Sequence, residues 1–267
     1  MINILIALNA EAKPIRQALG LKSIQDSAPW RCYTNDEYRL VVTGVGRLNM
    51  AMAASWLYGA YGPASLWVNI GSAGHNNAEV GRIVVANKIK DGLNDEITLI
   101  PMLSSDLPMA SIKTLDTVQK VFPDGVFCDM EAAGFIQATR HVTDRERAHV
   151  IKVVSDNGLE RTERINETQL KTIMESATEE ILTLISQIQQ SLNSATPELI
   201  QEPFALAELR RVSSAQTHRW NELSRRWSAL TWSVQDLRQA LDSHRSTTDF
   251  LDWMQNELQS KPVSLKR

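Results

Sequence analysis

Ser65-Leu66-Trp67-Val68-Asn69-Ile70-Gly71-Ser72-Ala73-Gly74 is the stretch whose reading decides the fold. Residues 65–70 form a nearly continuous apolar run, the mark of a strand covered on both faces. Gly71-Ser72-Ala73-Gly74 then reads as a turn of small residues at the strand's carboxyl end. Backbone N–H groups there can approach a ligand closely, and the serine adds a hydroxyl donor. Taken alone, an ordinary tight turn is the plainer account.

The same grammar repeats on both sides. Residues 1–7, 39–43, 81–86, 126–128 and 150–154 read as further short strands. The strand at 39–43 ends at Gly44-Val45-Gly46, and that at 150–154 ends at Ser155-Asp156-Asn157. Helical spacing lies between them at 11–19, 49–61, 131–139 and 168–189. Strands alternating with helices predict an α/β fold: three layers, with a mostly parallel or mixed central sheet flanked by helices. Ligands bind such sheets at the carboxyl ends of the strands.

Composition narrows the function classes. The 267 residues suffice for one large α/β domain and a smaller appendage. Lys plus Arg is 28 and Asp plus Glu 31, a balance that gives no reason to expect a polyanion partner. Cys32 and Cys128 read as reduced thiols of a cytoplasmic protein, and no Cys/His cluster has metal-ligand spacing. No stretch is long enough for a membrane span, and the apolar start is too short for a secretory leader.

Three carboxylates sit beside the expected strand ends. Asp156 reads equally as a functional acid and as a helix N-cap. Glu131, in Asp129-Met130-Glu131-Ala132, can accept two hydrogen bonds from a vicinal diol; a first-turn glutamate favoured by the helix dipole is the plainer account. Glu11, after the first strand, is either a first-turn residue or a general base aimed at water.

Together these segments resemble one family. Ala7-Leu8-Asn9-Ala10-Glu11, Thr43-Gly44-Val45-Gly46, Asn69 to Gly74, Asp129-Met130-Glu131-Ala132 and Val154-Ser155-Asp156, in this order, are similar to the purine nucleoside phosphorylases and methylthioadenosine/adenosylhomocysteine nucleosidases. The resemblance covers roughly residues 1–190. It implies that Asp156 protonates or hydrogen-bonds N7 of a departing purine. It implies that Glu131 holds the ribose hydroxyls with Met130 against the sugar, and that Glu11 activates water near Ser72. Gly44, Ala73, Gly74, Asp129, Lys152 and Ser155 are the further substrate-binding positions it implies. No cofactor or metal is implied.

Asn69 stands where hexameric phosphorylases carry a phosphate-holding arginine, which favours hydrolysis of an adenosine-type nucleoside over phosphorolysis. Arg47, Lys88 and Lys90 remain as possible anion ligands. A third reading is a non-catalytic nucleoside-binding module signalling through its tail. Three departures stand out: a shortened stretch between Asp91 and Phe127 with no identifiable residue to stack on a purine, Lys152 where the family has arginine, and His75 where it has glycine.

The resemblance stops before residue 193. Residues 193–197 read as a linker after a domain of residues 1–192. Trp220, Leu223, Trp227, Leu230, Val234, Leu237 and Leu241 then recur at spacings of 3 and 4, predicting one helix with a continuous apolar seam. Ser246 reads as the cap of a last helix, making residues 193–267 a helical hairpin or small bundle. Arg210-Arg211 and Arg225-Arg226 beside tryptophans suggest nucleic acid only weakly, because the tryptophans fall on the seam. Homo-oligomerisation or partner docking through that seam is the stronger expectation.

Overall fold

The computed structural model describes residues 1–24, 28–101, 106–117, 122–157, 166–195, 211–229 and 234–260. It divides into two compact units, Met1–Leu192 and Asn193–Arg267.

The first unit is a mixed sheet between two helical layers. Its strands are β1 (Ile2–Ile6), β2 (Lys22–Ser23), β3 (Arg31–Thr34), β4 (Tyr38–Val42), β5 (Leu66–His75), β6 (Ile83–Asp91), β7 (Ile97–Leu99), β8 (Met109–Thr114), β9 (Phe127–Asp129) and β10 (Ala148–Asn157). The helices are α1 (Asn9–Ala18), α2 (Arg47–Tyr61), α3 (Ala132–Thr139) and α4 (Glu167–Ala195).

Alternation along the strands builds two cores. Ile2, Ile4 and Ile6 of β1 point to one face, packing with Ala12 and Ile15 of α1 and with Met174, Ile181, Ile185 and Ile188 of α4. Leu5 points to the other, packing with Met50, Ala53 and Leu57 of α2 and Phe135 of α3. Each core strand is apolar in nearly every position because both of its faces are covered.

The sheet runs β10-β6-β8-β9-β5-β1-β4-β3-β2, and β10 also pairs with β5. Five strands, β5, β10, β6, β8 and β9, therefore close a hydrogen-bonded circuit, with β1, β4, β3 and β2 extending from β5. β1 lies parallel to both β4 and β5. β10 lies parallel to β5 and antiparallel to β6.

The expected turn at residues 71–74 is not a turn. β5 continues through it, because Gly74 pairs with Asp156 of β10 on one side and Cys128 of β9 on the other. His75 is likewise a buried strand residue; its Nδ1 accepts the N–H groups of Asn77 and Ala78, and its ring lies 4.3 Å from that of Phe127. The expected linker at 193–195 is the end of α4, while residues 196–197 and Pro203 lie outside the described residues.

The second unit holds α5 (Ser214–Ala229), α6 (Val234–Ser243) and α7 (Thr247–Ser260). The expected single seam helix is thus two elements, α5 and α6. Trp220, Leu223, Trp227, Leu237 and Leu241 are buried in this unit's own core with Phe250, Leu251 and Met254 of α7. Two elements can fold those residues onto α7, which one straight helix cannot. Ser246 does cap α7, its Oγ accepting the Asp249 N–H at 3.1 Å. Arg210 and the side chains of Leu230, Val234, Arg225 and Arg226 lie outside the described residues. No helix among the described residues is long and apolar enough to cross a membrane.

Candidate active site

An open pocket of about 250 Å³ lies where β5, β9 and β10 end and α1 and α2 begin. Glu11, Ser72, Ala73, Gly74, Asp129, Met130, Glu131, Ser155 and Asp156 all line it. Glu11 and Asp156, 145 positions apart in the chain, are brought together because β1, β5 and β10 run parallel and finish at one end of the sheet.

Glu11 is fixed from both sides. It is the third residue of α1, and its Oε2 reaches back to the N–H of Leu8 at 3.1 Å, satisfying a helix-start donor. Its Oε1 accepts the backbone N–H of Ser72 at 2.8 Å and the Ser72 hydroxyl at 2.7 Å. One carboxylate thus serves the first turn of α1 and lines the pocket.

Glu131 precedes α3 and is buried. Its Oε1 accepts the N–H of Gly46 at 2.9 Å. Gly46 has a φ of 101°, a conformation that favours glycine, and this turns its N–H toward the pocket. Gly134 lets α3 come this close: a β-carbon there would lie 2.2 Å from the Arg47 carbonyl oxygen at the start of α2. Burial raises the Glu131 carboxyl to about 6, against the opposing pull of Lys152.

Asp129 is enclosed. Its Oδ1 accepts the Thr114 hydroxyl at 2.7 Å, and its Oδ2 accepts the N–H groups of Glu131 at 3.2 Å and Ala132 at 2.7 Å. It caps α3 and reaches the pocket as a support for Glu131. Lys152, on β10, lies beneath the floor with its ammonium 2.9 Å from Asp129 Oδ2 and 3.7 Å from Glu131 Oε2. Burial works against its charge, but Asp129 and Glu131 prevail and hold its proton above the usual lysine range.

Asp156 sits at a bulge. The register slips between Val154 and Asp156, so Ser155 is an extra residue that re-aims the strand end into the pocket. The Ser155 hydroxyl donates to Asp156 Oδ1 at 2.6 Å.

Other sequence expectations land elsewhere. Gly44 is not on the pocket wall; Val45 is. Arg47 is committed to Asp91 and Asp116, each at 2.6 Å, and Lys90 to Asp95 at 2.8 Å. The sequence reading missed Ala7, Leu8, Val45, Leu115, Thr117, Phe122 and Cys128 of the wall. Phe122 rests on Gly74, where a β-carbon would meet the ring tip 2.2 Å away. Among the described residues it is the aromatic one on the wall, and Phe122-Pro123 ahead of β9 was the signal available for it. Burial first, then the charges of Asp129 and Asp156, push the Cys128 thiol up to about 11, keeping it protonated and unreactive.

No protein-family model matches the chain, and no curated protein sequence does. Solved structures do. The 5′-methylthioadenosine nucleosidase of Arabidopsis thaliana, in apo form, is 17% identical with a TM-score of 0.60, over 70% of this chain and 95% of that one. The Campylobacter jejuni 5′-methylthioadenosine/S-adenosylhomocysteine nucleosidase is 17% identical with a TM-score of 0.56, over 70% and 98%. A Borrelia burgdorferi protein described as a putative nucleosidase of the same kind, bound to adenine, is 19% identical with a TM-score of 0.57, over 70% and 100%. The chain shares the fold of these proteins.

Proposed function

We propose, starting from this shared fold, that the chain is a purine nucleosidase that hydrolyses the N-glycosidic bond of an adenosine-type nucleoside. The observation that carries the reading is the convergence of Glu11 with Ser72, Glu131 and Asp156 on one pocket.

Each group has a task that its surroundings suit. Breaking C1′–N9 leaves positive charge on the sugar and negative charge on the base. Asp156 faces the leaving base and delivers a proton or hydrogen bond at N7. Glu131 accepts from the ribose hydroxyls, and its negative charge stabilises the cationic sugar. Glu11, locked in orientation by Ser72, takes a proton from water as the water oxygen bonds to C1′. The products are free base and free sugar, and one water is consumed.

Hydrolysis is favoured over phosphorolysis by the wall itself. Its charged residues are Glu11, Asp129, Glu131 and Asp156, with no Arg, Lys or His on it among the described residues. Asn69 is buried and donates to the Leu5 carbonyl at 3.1 Å, so it offers nothing to a phosphate. Such a wall repels a phosphate dianion and accepts a neutral nucleoside and water.

The deciding experiment incubates the protein with adenine and guanine nucleosides, 5′-modified ones included, with and without phosphate, and follows free base. Release without phosphate is expected. Release only with phosphate makes the protein a phosphorylase, and tight binding without release makes it a binding module.

A further inference from the structure

Lys152 is fully buried beside carboxylates that line the pocket. Its ammonium touches Asp129 of β9 at 2.9 Å and approaches Glu131, ahead of α3, to 3.7 Å. Gly71 lies against it from β5. A β-carbon at Gly71 would come within 3.3 Å of Nζ and 3.6 Å of both carboxylate oxygens of Glu11. Glu11 of α1 is therefore the third carboxylate around the same cation.

Glu131 feels groups from every neighbouring element. Lys152 favours its charged form, as does the Gly46 N–H; burial, Asp129 and Glu11 oppose it. Removing Lys152 leaves a buried carboxyl with two like charges beside it, a setting in which the neutral acid prevails. A neutral acid has lost acceptor capacity and must donate a hydrogen of its own, so it no longer offers two acceptors to a diol.

We infer that Lys152 is a positioning residue for the sugar: anchored on Asp129, its ammonium keeps Glu131 a carboxylate that can receive both ribose hydroxyls, and it takes no part in bond breaking. The inference rests on the nucleosidase reading of the same pocket. Arginine supplies the same charge in a wider fork, whereas methionine keeps the length of the side chain without the charge.

The test compares the wild type with Lys152→Met, Lys152→Arg and Asp129→Asn. Base release from adenosine and 2′-deoxyadenosine is followed from pH 5 to 8, with kcat and KM separated. In ligand-free protein, Glu131 ionisation is read from its carboxylate infrared band, assigned with Glu131→Gln. Lys152→Met is expected to move the acid limb of kcat/KM up by a unit or more, an about tenfold loss near pH 6. KM should carry that loss, and adenosine should suffer more than 2′-deoxyadenosine. Lys152→Arg should restore the limb. Asp129→Asn removes a like charge while keeping an acceptor for the α3 cap, so it should move the limb the other way. If Lys152→Met does not fold, Lys152→Gln, which also removes the charge, takes its place, and an unmoved limb there overturns the inference; Asp129→Asn checks that the limb belongs to Glu131.

A limb that stays in place while kcat falls equally at all pH values overturns the inference, as does a Glu131 band that titrates unchanged. A wild type that releases no base overturns the nucleosidase reading, and the infrared titration then still decides whether Lys152 governs Glu131.

Discussion

The hydroxyl and the backbone N–H of Ser72 both end on the same oxygen of Glu11, at 2.7 and 2.8 Å, while Oε2 accepts the Leu8 N–H. In the proposed hydrolysis, these bonds hold the base in one orientation. Ser72→Ala removes one charge-assisted hydrogen bond, worth about 1.5–3 kcal/mol. Base release is therefore expected to slow by roughly 10- to 100-fold in kcat, with KM little changed. Unaltered kcat would place the water elsewhere.

Asp156→Asn preserves the bulge and the Ser155 contact but cannot deliver a proton. Loss of about 10²- to 10⁴-fold in base release is expected, with binding of adenine retained in calorimetry. A variant that neither binds nor turns over would point to a role in recognition alone.

Glu131 links the site to stability. Its folded form holds the proton more tightly than the usual carboxyl at 4.5, because burial raises it to about 6. The stability from that shift is fully present below pH 4.5 and is lost as pH rises through about 6. The loss amounts to about 2 kcal/mol. Glu131→Gln has no such titration, so denaturant melts at pH 4 and pH 7 should show the wild type losing ground to the variant by that margin. Equal changes in both proteins would assign the titration to another group.

Phe122 and Gly74 form a testable pair. Gly74→Ala places a methyl where the ring tip lies, so ring or strand must shift. A rise in KM of about tenfold or more is expected, an overpacking cost of roughly 1–3 kcal/mol. In the double variant with Phe122→Ala the penalty of the added methyl should vanish, a coupling that a double-mutant cycle measures.

The helical unit can be separated from the chemistry. A chain ending at Ala195 retains both cores of the first unit and every pocket residue. It is expected to fold and to release base at the full-length rate. Its mass in solution, set against that of the full chain, tests whether the helical unit joins copies of the protein; an identical oligomeric state discards that role.

Much of this was legible in the sequence, for identifiable reasons. β1, β5 and β10 announce themselves because burial on both faces forces unbroken apolar runs. Glu11, Ser72, Glu131 and Asp156 were placed at strand ends, and strand ends are where parallel strands gather their residues. β2, β3, β7 and β8 were not found: they are short or half-exposed, and Met109–Thr114 mixes apolar, small and charged residues. The continuation of β5 through Gly71–Gly74 was hidden as well. Glycine there signals close approach of Lys152, Glu11 and Phe122, contacts that are remote in sequence. The buried partnership of Lys152 with Asp129 joins positions 23 apart, with no local pattern to reveal it.

The closed circuit of β5, β10, β6, β8 and β9 also bears on how the protein behaves when concentrated. A ring of strands exposes no row of unpaired backbone groups along its paired stretches, and open rows are what other chains add to when proteins clump. Among the described residues, the sheet's outer edges are β2 and β7, two and three residues long. Edges so short make poor templates. β7 is the weaker guard, since Ile97 and Leu99 are 52% and 65% exposed. Changing either to lysine should improve keeping qualities in storage and leave the pocket, on other strands, untouched.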